Sequence, residues 1–332
     1  MLPHHQAWVD GGQNGGPPMI YYASLAGLHQ PVQFLLDNGS DINIHGGYFG
    51  GSLQAAAFNG HKDLVCMLLY RGADINTQHW VLGIAVQAAS INGHFELVQE
   101  LVNRDADINA RCGQYVTALQ AAVEKGHVKT VKTLIGRAQR RKYSRGYHGT
   151  ALQAAAFHGH IKIVRMLLGN GADPNSNCEW RGNALQAASL GGHTEIVQRL
   201  LNEGADVNSN CGHLGSALQA ASSANHERVV LELLDRGADV NAQGGYHGNA
   251  LKAAVDWVWN SKRPSETVMT LIQKGAHQKE VNQSHLSFAL KIYENQTYLD
   301  RLYLWEEKDK WKDEDRDWRN RRCCLGMFCI SL

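Results

Sequence analysis

Proline is scarce, at 6 in 332 residues, and no apolar run reaches the roughly eighteen residues that a membrane-spanning helix needs. Both a proline-rich linker and a spanning segment are thereby excluded. Net charge is also nearly absent: 32 Lys and Arg against 31 Asp and Glu leave +1, which argues against a wholesale polyanion binder and predicts no nucleic-acid partner. The opening stretch MLPHHQAWVDGG lacks a basic segment followed by an apolar one, so it does not read as a secretory signal. The 7 cysteines are odd in number and unevenly placed, unlike a disulfide framework. A cytoplasmic protein, or a nuclear one, is the expectation. Against these deficits stand 44% hydrophobic residues, enough for a core, and 34 glycines.

Glycine recurs because the chain repeats. Leu-Gln-Ala-Ala begins at Leu53, Leu119, Leu152, Leu185 and Leu218, and Val86 and Leu251 head the variants VQAA and LKAA, so each step is 33 residues. One step back, Ile20 opens IYYA, and Gly27 there matches Gly60. Beyond Leu251 the pair Gly275 and Ala276 comes five residues late, which places an insertion near Trp257 to Ser265. Thr117, Thr150, Asn183, Ser216 and Asn249 precede the repeated motif and are of the type that caps a helix start. Gly60, Gly93, Gly126, Gly159 and Gly192 stand where a chain leaves a helix. A second apolar stripe follows, as in Ile161, Ile163, Val164, Leu167 and Leu168, with Gly171 closing it. Helices this short are marginal alone, so stability must come from stacked neighbours.

A period of 33, Gly-His between two helices, and Gly-Ala-Asp-x-Asn after them, at Gly72 to Asn76, Gly171 to Asn175, Gly204 to Asn208 and Gly237 to Asn241, resemble the ankyrin repeat. The resemblance covers residues 17–277 and is similar to fungal-type arrays, with Ala-Leu-Gln-Ala-Ala forms where the family has Thr-Pro-Leu-His. It implies an all-α solenoid of about eight helix-turn-helix repeats with short β-hairpin fingers. Residues 1–16 are then an N-terminal tail, and 278–332 a C-terminal capping helix with a charged, Cys-rich tail. The cap is expected from the apolar residues between Tyr298 and Trp305, followed by mixed charge through Arg322.

Three columns imitate chemistry. His61, His94, His127, His160, His193 and His226 align, but equivalent positions lie about one helix-packing distance of 10 Å apart, too far to share a metal ion. They read as turn residues bonding backbone. Cys112, Cys178 and Cys211 are likewise too far apart to pair and read as free thiols. The column of Asp41, Asp74, Asp107, Asp173, Asp206 and Asp239, with Asn two residues on, reads as loop groups bonding local N–H. No nucleophile elbow, phosphate loop or CxxC pair occurs, so no catalytic residue, metal or cofactor is expected.

Two features point to binding. The finger positions read Tyr48, Trp80, Tyr115, Tyr147, Trp180, His213 and Tyr246, and aromatics placed there are candidates for contact with a partner. From Leu119 to Ala151 the fourth copy holds Lys125, Lys129, Lys132, Arg137, Arg140, Arg141, Lys142 and Arg145 against one acid, Glu124. Such a cluster attracts an acidic partner. The expectation is a monomeric, non-enzymatic scaffold for a protein partner. Cys329 to Leu332 match a prenylation pattern, with Cys323 and Cys324 as a second acylation signal, so the alternative is a lipid-anchored membrane adaptor. A third reading is the recognition part of a larger multidomain enzyme system.

Overall fold

The computed structural model describes residues 17–140, 146–176 and 182–310. Each copy lays down two antiparallel helices. The pairs are α1 (Met19–Leu25) with α2 (His29–Asp37), α3 (Ser52–Phe58) with α4 (Lys62–Tyr70), α5 (Ala85–Ile91) with α6 (Phe95–Asn103), and α7 (Ala118–Glu124) with α8 (Val128–Arg140). They continue as α9 (Gly146–Phe157) with α10 (Ile161–Gly169), α11 (Ala184–Leu190) with α12 (Thr194–Asn202), α13 (Ala217–Ser223) with α14 (Glu227–Asp235), and α15 (Ala250–Ser261) with α16 (Glu266–Gln273). A 3-10 turn at Gln278–Glu280 leads into α17 (Gln283–Lys310). First helices of adjacent copies pack more closely than second helices do, so the first-helix row lines the inner, concave side.

The repeated Leu and Ala residues build one continuous core. Leu152, Leu185 and Leu218 are buried, as are Val164, Val197 and Val230 one helix further on. The helix starts follow the expected chemistry in four copies: Thr117 Oγ1, Asn183 Oδ1, Ser216 Oγ and Asn249 Oδ1 each accept from the backbone N–H three residues on.

The fourth copy departs from expectation. Second helices elsewhere stop at a left-handed residue, such as Gly171 with φ 83°, Gly204 with φ 87° or Asp105 with φ 61°. The corresponding residue is Ala138, which has no such preference, and α8 runs through to Arg140. The next helix starts early, at Gly146, so Thr150 lies inside α9 rather than capping it. Hairpin structure elsewhere is slight: β1 (Asn210–Cys211) pairs antiparallel with β2 (Gly215–Ser216), and single bridges join His45 to Gly51 and Gly244 to Gly248. The insertion does extend the eighth copy, because α15 gains a turn before ending at Lys262, φ 57°.

Three kinds of side chain, histidine, asparagine and glutamine, lock copy to copy. Each column histidine reaches back to a carbonyl of the preceding copy, as His94 Nε2 to Phe58 O at 2.9 Å, His127 to Ile91 O at 2.9 Å and His226 to Leu190 O at 3.0 Å. The ring lies against the preceding turn so closely that a Cβ at Gly93 would stand 2.4 Å from His127 Nδ1. Each aspartate accepts from a local N–H, as expected, for example Asn76 N to Asp74 Oδ1 at 2.9 Å. The asparagines act between copies instead: Asn43, Asn76, Asn175 and Asn208 accept from the backbone N–H of Asp74, Asp107, Asp206 and Asp239, at 2.8–2.9 Å.

The glutamine of the repeated motif is the third lock. Gln87 is buried; its Oε1 accepts from Ile84 N at 2.8 Å, while its Nε2 donates to Ala110 O, Cys112 O and Val116 O at 2.9–3.1 Å in the next finger. Gln186 and Gln219 repeat the arrangement. At the array start Tyr21 takes the position, with its hydroxyl accepting from Phe49 N at 3.3 Å. At the end the position is Lys252, exposed to solvent, and the following segment closes the stack differently. There Glu280 accepts from Gln243 Nε2 at 2.7 Å and Asn249 Nδ2 at 2.9 Å, and Val281, Leu286 and Ala289 are buried against copy eight. The cap engages through Glu280, Val281, Leu286 and Ala289, and the side chains of the expected stretch from Tyr298 lie outside those described.

Leu185→Ala is expected to lower stability by about 2–5 kcal/mol, as a buried leucine truncated in a core that cannot collapse. Gln87→Ala should cost about 1–3 kcal/mol by stranding finger carbonyls. Urea unfolding followed by circular dichroism measures both, and a loss below about 0.5 kcal/mol for either would refute its assigned role.

Candidate interaction surface

The locks hold one backbone edge of every copy in register and aim the finger tips to one side. In the first finger Phe49 stacks on Phe58, with ring centroids 4.5 Å apart, and Tyr48 stands edge-on to Phe49 at the surface. Trp80 is 65% and Tyr246 73% exposed, while Tyr48 is 45% exposed. Tyr115 is half-buried, with Lys125 Nζ 5.6 Å from its ring centre. His213 and Tyr246 come together, with ring centroids 5.3 Å apart and Tyr246 N donating to His213 O at 2.9 Å. Finger-to-finger bonding also joins Gln114 N to Val81 O at 2.9 Å. Tyr147 sits in the first turn of α9. Trp180 lies outside the described residues.

Of the basic cluster, Lys125, Lys129 and Lys132 are exposed, and Arg137 is half-buried with Nη2 donating to Asn103 Oδ1. Arg140 ends α8, and Arg141, Lys142 and Arg145 lie outside the described residues. So do Cys178, Cys323, Cys324 and Cys329. Cys112 and Cys211 are free thiols, each directed at a lock glutamine, with Sγ to Oε1 distances of 3.0 Å to Gln87 and 3.3 Å to Gln186. Burial pushes the Cys112 thiol upward in pKa, which disfavours the reactive thiolate. Burial, and then the neighbouring His45, press His79 downward, so the imidazole beside Trp80 is held toward its neutral form. Among the described residues no group of three His, Cys, Asp or Glu is placed to hold a metal ion, and no helix is long and apolar enough to cross a membrane.

One strained residue went unnoticed in the sequence. Val116 has φ 62°, a conformation that a β-branched residue rarely adopts, where the matching residues Gly83, Gly182 and Gly215 are glycines. It is exposed beside Tyr115, and Gln87 holds its carbonyl.

Helix pairs repeated at a fixed period, with loops presented along one edge, define a repeat solenoid of the protein-interaction class. The chain belongs to the ankyrin-repeat proteins: a family profile of three tandem ankyrin repeats matches residues 84–178 and 170–244, and a single ankyrin repeat matches 52–80. Among solved structures it is similar to the ankyrin repeat domain of human ASB11, with a TM-score of 0.57 and 22% identity, over 67% of this chain and 96% of that one. That likeness shows the fold alone. No curated protein matches the chain. Ankyrin repeats are in general protein-protein interaction modules.

Relieving left-handed strain is worth about 1–2 kcal/mol, and glycine returns about half of that as chain entropy. Val116→Gly should therefore raise stability by up to about 1 kcal/mol, read as a higher urea midpoint, and a lowered midpoint would show that the valine side chain is stabilising there.

Proposed function

We propose that the chain is a non-enzymatic, monomeric scaffold that docks a protein partner across its finger tips and concave first-helix face. The observation that carries this reading is the exposure of Trp80 and Tyr246 on fingers that the buried glutamines Gln54 and Gln219 bond, at Thr77 O and Gly248 O. A rigid edge bearing large aromatic side chains presents area to a partner with few rotors left to freeze. The basic residues of copy four add long-range attraction and select for an acidic partner. The work is done in the cytoplasm or nucleus, without nucleic acid or cofactor.

The test compares wild type with the triple variant Tyr48→Ala, Trp80→Ala, Tyr246→Ala, first checked for unchanged helicity and melting temperature. A partner captured from the source cell's lysate and re-formed with wild type from purified components should lose about 30-fold or more in affinity for the variant, since one aromatic hot spot is worth about 2 kcal/mol. Equal affinity for both proteins would overturn the finger-tip assignment.

A further inference from the structure

Second helices begin with an acid in most copies: Asp63 in α4, Glu96 in α6, Glu195 in α12, Glu227 in α14 and Glu266 in α16. This is the residue type that the positive end of a helix dipole favours. The helices α8 and α10 carry no acid in the first turn. Instead Lys129 and Lys162 stand in the column of Asp63, Glu96 and Glu195. One turn on, Lys132 and Arg165 align in turn, where the neighbouring copies have Gln99 and Gln198. Lys129, Lys132, Lys162 and Arg165 are all exposed, and neither α8 nor α10 contains any acid.

Each feature works against the fold. A cation at a helix N-terminus opposes the dipole, and like charges three residues apart on one helix repel. The compensation inside the molecule is small: Lys129 Nζ lies 4.8 Å over the Phe95 ring, and Arg165 reaches Glu195 at 2.7 Å in a pair more than half exposed on both sides. The array is also bounded. Glu96 and Glu100 of α6 lie on one side, and Glu195 of α12 lies on the other. A long polyanion or a flat anionic membrane crossing the stack would meet these acids, whereas a short segment confined to two copies would not.

We propose that the outer face of α8 and α10 is a docking site for a short, extended, acidic polypeptide segment. In an extended chain three residues span about 10 Å, the distance between stacked helices, so carboxylates at that spacing meet the cations of both copies in turn. This builds on the electrostatic part of the reading above but makes a site of its own, on the outer helix row rather than at the finger tips.

The experiment measures fluorescence anisotropy of a labelled octaglutamate peptide with the full chain, in wild type and in K129E/K162E. That double variant installs the acid that Asp63, Glu96 and Glu195 supply at this column, so its melting temperature should equal or exceed the wild type's. The expected result is binding that weakens as salt rises and that falls at least 10-fold in the variant, with Tyr48→Ala, Trp80→Ala, Tyr246→Ala binding the peptide normally. Unchanged peptide affinity in K129E/K162E would overturn the site, and a lowered melting temperature would overturn the premise that the lysines oppose the fold. Loss of peptide binding in the aromatic variant instead would place acid recognition on the fingers. Wild type is also titrated with phosphatidylserine vesicles and an oligouridine. Binding to either that is tighter than to the peptide and lost in K129E/K162E would assign the array to that ligand class and overturn the peptide.

Discussion

The structure depends on a buried amide that has two jobs at once. A glutamine on four of the first helices, Gln54, Gln87, Gln186 and Gln219, satisfies the N–H at its own helix start and, with its other end, carbonyls of the finger that follows. Finger carbonyls would otherwise be buried without donors, a cost comparable to several ordinary hydrogen bonds per copy. Because the same side chain fixes helix start and neighbouring finger, helix position and finger position cannot vary independently. The rigid row of finger tips follows from that coupling, as does the room for surface residues to change without disturbing the stack.

The histidine and asparagine columns extend the principle to the other two corners of each copy. Histidine seals the inner turn against the copy before, and asparagine receives an N–H from the copy after. In the fourth copy the loop columns hold Arg140 and Lys142, whose side chains cannot accept a hydrogen bond. The altered loop and the lengthened α8 thus have one origin, the loss of the residues that elsewhere stop a helix and tie its end to a neighbour.

Much of this was legible in the sequence. The period, the helix pairs, the caps at Thr117, Asn183, Ser216 and Asn249, and the insertion in copy eight are local patterns, and local patterns survive into structure. Partners in a neighbouring copy were not legible, because a column of identical residues shows that a position matters without showing what it touches. Gln87 carried no assigned role beyond its place in the repeated motif, and the asparagines read as loop groups bonding local N–H. The extension of α8 to Arg140 followed from Ala138 standing where a left-handed residue stops other second helices, a substitution masked by the unchanged period. On the surface, Tyr48, Trp80 and Tyr246 appeared where the fingers were expected, whereas Tyr147 sits in the first turn of α9.

Lys252 shows what ends such an array. In its column Gln54, Gln87, Gln153, Gln186 and Gln219 each grip carbonyls that only the next copy supplies, so such a unit is chemically unfinished until a successor arrives. Exchanging one amide for an ammonium that faces water removes that demand, and Glu280 meets the last finger from outside the series. Duplicating an interior unit would lengthen the array with every junction intact, whereas duplicating the eighth would leave a junction unmade.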